Sequence, residues 1–162
     1  MTTGRARDRD ADGRPLSQRP RDADGRPLPY DAAPDVVAPR EPEDVVRTPA
    51  ESLARAQQLL DEGRPFPAHD VLEAAWKDGP DGERDLWQGL AQLCVALTHV
   101  RRGNTVGART LFRRGAERLR NYAATEGAAY GVDLDGVVAW AETAADAAEA
   151  DQPVDLGVRL SA

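Results

Sequence analysis

The sequence predicts an all-α protein: a small bundle of about five helices with a central helical hairpin, preceded by an extended arm. From residue 49 onward, apolar residues recur every three or four positions, and capping residues or glycines mark the ends of these segments. Residues 1–48 show neither a helical nor a strand period. We therefore predict an arm over residues 1–48, a helical domain over 49–150 and an irregular tail over 151–162.

The arm is rich in Pro, Arg and Asp and contains few large apolar residues. It repeats the octapeptide RDADGRPL at Arg9–Leu16 and Arg21–Leu28, which we interpret as paired charges in turns. Its composition favours disorder. The alternative is that the arm packs on its own domain or on a partner subunit, through the anchors Leu16, Leu28 and Tyr30.

The helix boundaries follow from capping signals. Thr48, Pro49 and Glu51 form a capping box that begins the first helix, which is expected to end near Glu62. The other four helices are predicted at about Pro67–Lys77, Glu83–Arg102, from Asn104 onward, and at about Leu134–Glu149. Small residues on the fourth helix permit a close approach to the third, so these two are expected to form a tight antiparallel hairpin: Gly107, Ala108, Gly115 and Ala116.

The segment FPAHDVLEAAWK, Phe66–Lys77, is the only candidate site for chemistry in the sequence. His69 and Glu73 are four residues apart and share a helix face, with Asp70 one step around it. These side chains suit a divalent metal such as Zn, Mn or Fe, with His99 of the third helix as a possible fourth ligand. The alternative is a structural network in which His69 binds Glu73 or Gln88, completed by Gln92 and His99.

Three segments resemble a prokaryotic family known as domain of unknown function 309, some of whose members are labelled predicted metal-dependent hydrolases. These segments are FPAHDVLEAAW, LWQGLAQLCVALTHVRRGN and GARTLFRRGAERL. The chain departs from the family at Asp70, where relatives more often have Glu, and at Pro67, where some have a second histidine. The family's polar signature corresponds here to His69, Glu73, Trp76, Gln88, Gly89, Asn104, Gly107 and Ala108.

The sequence leaves two functions open, and the second of them is the one that the resemblance implies. The first, which we favour, is a non-catalytic module that binds a small ligand or a protein partner. The second is a metal-dependent hydrolase using His69, Asp70 and Glu73, with metal-bound water as nucleophile and Glu73 or Asp70 as general base. The sequence leaves open whether the protein is an enzyme. The residues expected in the polar network or ligand site are His69, Glu73, Trp76, Gln88, Gln92, His99 and Asn104.

Charge and composition exclude several partners. The net charge of −7 argues against general nucleic-acid binding, and the arginines between Arg101 and Arg120 are interpreted as a solvated face. No apolar run approaches the roughly 20 residues that cross a bilayer. A cytoplasmic location is the expected default, and the apolar context of the single cysteine, Cys94, suits a buried thiol.

Overall fold

The computed structural model describes residues 20–29, 31–39, 41–42 and 45–161. In these residues the regular structure is five α-helices and one short 3₁₀ turn, and extended backbone is paired only at isolated bridges. The predicted all-α class is confirmed. The helices are α1 (Pro49–Asp61), α2 (Pro65–Asp78), α3 (Arg84–Arg101), α4 (Thr105–Ala124) and α5 (Leu134–Glu149), and the 3₁₀ turn is Asp81–Glu83.

The chain divides into two compact units, Met1–Pro39 and Arg40–Ala162. The first unit contains most of the predicted arm, and the second contains all five helices. The first copy of the octapeptide and the proposed anchors Leu16 and Tyr30 lie outside the described residues.

The second copy of the octapeptide folds as a tight charged turn. The Oδ1 atom of Asp22 accepts hydrogen bonds from the backbone N–H groups of Asp24 and Arg26, both at 2.9 Å. Arg21 and Pro27 form an antiparallel bridge that closes the turn. The Asp22 carboxylate therefore supplies acceptors for backbone N–H groups within this copy of the octapeptide.

The first helix begins at its predicted cap, whereas the second begins two residues earlier than expected. Thr48 Oγ1 accepts a hydrogen bond from the backbone N–H of Glu51 at 3.2 Å, as the capping box predicts. The second helix begins at Pro65, whereas we expected a start near Pro67. Both prolines fit in the first turn because backbone N–H groups there have no acceptor within the helix.

The third and fourth helices form the predicted close antiparallel hairpin. A Cβ atom added to Gly115 would lie 2.6 Å from Leu93 Cδ2 and 3.0 Å from the carbonyl oxygen of Gly89. A Cβ atom added to Gly89 would lie 2.9 Å from Leu119 Cδ2. These contacts pair later residues of α4 with earlier residues of α3, so the helices run antiparallel at a separation that only small residues allow.

The fifth helix packs on α4 through an aromatic contact and ion pairs. Trp140 meets Phe112 edge to face, with ring centroids 5.4 Å apart. Arg113 Nη2 lies 2.5 Å from Glu149 Oε2, and Arg120 pairs with Glu142. The basic face of α4 and the acidic excess of the last third of the chain therefore partly neutralise each other.

Residues 151–161 of the C-terminal tail form no helix or strand, but they pack into the second unit. Val158 and Leu160 are buried. The Gln57 side chain of α1 pairs with the tail backbone: its Nε2 donates to the Val158 carbonyl oxygen at 3.1 Å, and its Oε1 accepts from the Leu160 N–H at 2.8 Å. Side-chain and backbone hydrogen bonds thus hold a segment that sequence periodicity describes only as irregular.

The core of the second unit is centred on α3, where Trp87, Leu86 and Leu90 are fully buried. Each helix packs mainly on its neighbours in the sequence, α1 on α2, α2 on α3, α3 on α4 and α4 on α5. Among the described helices, none is long and apolar enough to span a membrane.

Candidate functional site

The first turn of α2 fixes the orientation of the His69 ring. His69 Nδ1 lies 2.7 Å from the carbonyl oxygen of Phe66, three residues earlier. Because a carbonyl oxygen only accepts, Nδ1 carries a proton and donates it. The Phe66 ring packs against the imidazole with centroids 5.0 Å apart. The ring is therefore held from two sides, and its Nε2 atom points away from the backbone.

His69 Nε2 lies 3.3 Å from Glu73 Oε2, one helical turn further on. With Nδ1 already protonated, Nε2 carries either a lone pair or a second proton. A lone pair facing a carboxylate oxygen is repulsive unless a proton or a cation lies between them. The two atoms therefore form a pair of acceptors suited to a shared positive charge.

Two further side chains bound this pair. Lys77 Nζ lies 3.0 Å from Glu73 Oε1, the oxygen that does not face His69. Asp70 Oδ1 lies 3.4 Å from Nδ1, on the backbone side of the ring. The side chains of His69, Glu73 and Asp70 are 17%, 38% and 50% exposed, so the cluster opens from a half-buried histidine to solvated carboxylates.

These residues can offer ligands to one metal ion. One nitrogen or oxygen from each of His69, Asp70 and Glu73 lies within 4.8 Å of the others. Since Nδ1 donates a hydrogen bond to the Phe66 carbonyl oxygen, Nε2 is the ring nitrogen that can bind a metal ion. The carboxylate oxygen nearest to Nε2 is Glu73 Oε2. A histidine whose second nitrogen donates to a backbone carbonyl is the common arrangement at metal sites. In the described chain His99 is not a member of this cluster.

His99 instead contacts the turn between α3 and α4. Asn104 Oδ1 accepts from the Gly107 N–H at 3.0 Å, which leaves Asn104 Nδ2 to donate to His99 Nδ1 at 3.1 Å. Burial, with a smaller contribution from Arg102, lowers the pKa of His99. This histidine is a neutral acceptor that supports the cap of α4.

The two glutamines of α3 are placed differently from the predicted network. The Oε1 atoms of Gln88 and Gln92 are buried and have no hydrogen-bond partner in the described chain. Trp76, which shares a face of α2 with His69 and Glu73, lies under the guanidinium of Arg84 at 5.4 Å. The predicted polar residues thus form separate contacts: His69 with Glu73, and His99 with Asn104.

Two side chains that can act as nucleophiles in other proteins, Cys94 and Ser52, are both buried. Burial raises the pKa of Cys94 to about 12, so its thiol keeps its proton at neutral pH. Ser52 is also buried, at 3% exposure.

Sequence reasoning missed the groups that orient the cluster. Lys77 follows Glu73 by four residues, a spacing that signals an ion pair on a helix. The Phe66 carbonyl carries no signal in the sequence, because any residue three before a histidine supplies the same group.

Tyr130, in the loop before α5, contacts Glu83 and Trp87 across 47 and 43 positions, and local patterns do not predict such contacts.

The fold and the cluster together define a class of protein: an all-α bundle with a histidine–carboxylate group on the partly exposed face of its second helix. Residues 53–111 match the model of a family described as a domain of unknown function (DUF309), the family that the sequence motifs resemble. The matched segment begins in α1 and ends within α4. It contains the whole of α2 and α3, and hence the cluster.

The curated proteins include one similar relative, the "Uncharacterized protein YpuF" of Bacillus subtilis (strain 168). The two are 43% identical over 56 residues, which are 34% of this chain and 32% of the relative. The chain thus matches about a third of the relative's length. No solved structure matches.

Proposed function

We propose that the helical domain is a non-catalytic binding module that holds a divalent cation between His69 and Glu73. The supporting observation is the 3.3 Å separation of Nε2 and Oε2 while Nδ1 donates to the Phe66 carbonyl. Two acceptors at this distance attract a cation, and imidazole and carboxylate ligands suit Zn, Mn or Fe.

The donor geometry favours binding over catalysis. A catalytic zinc site has three protein ligands and an open position for water. Here Asp70 lies on the Nδ1 edge of the ring, and Glu73 is needed as a ligand, so neither is free to act as a general base beside the ion. The role of the bound ion in this proposal is to link the side chains of His69 and Glu73 and to present open coordination positions to a ligand or partner.

Calorimetric titration of the full chain with Zn²⁺ and Mn²⁺ tests the proposal. We expect one ion per chain, and at least about tenfold weaker binding, or about 1.4 kcal/mol, in His69→Gln and in Glu73→Gln. Lys77→Gln is expected to strengthen binding, because it removes a cation that competes for Glu73. His99→Gln is the matched control and should bind like the wild type.

Failure to bind either ion, or equal binding by wild type and His69→Gln, would overturn the proposal. The hydrolase alternative has its own readout. Metal-dependent cleavage of ester or phosphate substrates that is lost in both Glu73→Gln and Asp70→Asn would replace a binding module with an enzyme.

A further inference from the structure

A cavity lies at the opposite end of α2 from His69. It is a cavity of about 230 Å³ lined by the end of α2, the start of α1, the segment before α1 and the loop before α5. Drug-sized ligand pockets have volumes of roughly 300–1,000 Å³, so this cavity suits a smaller molecule. The residues that determine its chemistry are Arg47, Asp78, Glu83, Trp87 and Tyr130.

Glu83 presents a carboxylate with no ion-pair partner among the described residues. Its Oε2 accepts from Trp87 Nε1 at 3.0 Å, and its Oε1 accepts from the hydroxyl of Tyr130. The bond to Glu83 raises the pKa of Tyr130 to about 12, so the phenol stays a neutral donor. Both partners orient the carboxylate without neutralising it, and the negative charge of Glu83 remains beside the cavity.

The remaining walls also favour a positive charge. Asp78 adds a second carboxylate, and the last turn of α2 contributes the negative end of the helix dipole. The Tyr130 ring, which is 39% exposed, stacks on the buried Trp87 ring at 26° with centroids 6.0 Å apart, so Tyr130 presents the aromatic surface to the cavity. Aromatic faces attract cations, and they bind quaternary ammonium groups through apolar contact as well as charge.

Among the described residues that line the cavity, the cationic side chain is Arg47, and it belongs to an ion-pair group. Arg47 Nη2 lies 3.3 Å from Glu41 Oε2, and both side chains are largely buried. Glu41 also pairs with Arg55, so this group carries one net positive charge, which offsets only one of the two carboxylates of Asp78 and Glu83.

Tyr130 is held in place at a conformational cost. Its φ of +53° lies in the left-handed region, which is uncommon for a bulky side chain. Such backbone conformations persist where surrounding contacts impose them, often at ligand sites. Here those contacts are the bond to Glu83 and the stacking on Trp87.

From these features we infer that the cavity binds a small organic ammonium ion, with Asp78 and Glu83 supplying the counter-charge and the exposed Tyr130 ring, backed by Trp87, the aromatic wall. The site shares no residue with the His69–Glu73 pair and does not depend on it.

Calorimetric titration of the full chain with choline tests this inference, with the uncharged isostere 3,3-dimethylbutan-1-ol as the matched probe. We expect saturable binding of choline, one per chain, and no saturable binding of the alcohol. Glu83→Gln is expected to weaken choline binding at least about tenfold. Asp78→Asn, at an exposed position where folding is not at risk, should weaken it in the same direction.

His69→Gln and excess Zn²⁺ should both leave choline binding unchanged, which separates this site from the proposed cation site on α2. Three results would each overturn the inference: no saturable choline binding at millimolar concentrations, equal binding of the alcohol, or full binding by folded Glu83→Gln and Asp78→Asn.

Discussion

The orientation of individual side chains decides what the α2 cluster can bind. Helix geometry alone places His69 and Glu73 on one face, and the sequence predicts this proximity. Which ring nitrogen faces the carboxylate depends on a rotamer, and the Phe66 carbonyl selects it. Proximity was therefore predictable from spacing, whereas the donor and acceptor roles of the ring were not.

The same limit applies to His99. Its position on α3 made it a candidate metal ligand, but the Asn104 amide occupies its Nδ1. Asn104 was identified as the cap of α4 from the sequence, and its second contact depends on how the turn at Gly103 brings α3 and α4 together.

We predict that His99 makes stability depend on pH. Its folded pKa is lowered below the unfolded value of 6.5, so the unfolded chain binds the proton more readily. Stability from neutral His99 is therefore complete above pH 6.5 and is lost as the pH falls through the folded pKa. Urea unfolding of wild type and His99→Gln at pH 5.5 and 7.5 measures this, and the wild-type advantage should be larger at pH 7.5. An equal difference at both values would contradict the prediction.

At the level of helices, caps and glycines predicted most boundaries because they act locally. Gly63 and Gly103 adopt positive φ angles of 71° and 74° after α1 and α3. The start of α2 was less well predicted, since two closely spaced prolines both satisfy the rules for a first turn. The partners of α4 arginines such as Arg113 were not predicted, because Glu149 is 36 positions away.

Gly115 is predicted to be essential to the close packing of α3 and α4. Gly115→Ala should lower the free energy of unfolding by about 1–3 kcal/mol through overpacking against Leu93, even though Ala favours helix formation. Gly82→Ala, where an added Cβ atom meets nothing within 4 Å, should be neutral. Denaturant melts of the two variants make the comparison, and a Gly115 variant as stable as wild type would contradict it.

At the level of the whole helical unit, each helix packs mainly on its neighbours in the sequence, so α1 and α5 share no main interface with each other. The C-terminal tail links these two helices instead. Its backbone pairs with Gln57 of α1, while the Leu160 carbonyl oxygen accepts from the N–H of Asp133, which caps α5. The tail thus connects the first and last helices.

Leu160 is therefore expected to contribute to global stability. It is 3% exposed, and Leu160→Ala should cost about 2–5 kcal/mol, as for other buried leucines. Leu156 lies in the same tail but is 47% exposed, so Leu156→Ala should change stability by no more than about 0.5 kcal/mol. Thermal unfolding of both variants tests whether the tail stabilises the fold. Equally small losses of stability in the two variants would contradict this role.

The sequence by itself determined the helices, their caps, the hairpin and the face that carries His69, Asp70 and Glu73, because these depend on periodicity and on neighbours within a few positions. Tertiary structure alone decided how the tail is held, how the α4 arginines are paired and how Tyr130 meets Glu83. Those contacts join groups 36 or more positions apart, and their formation depends on how the helices pack rather than on local spacing.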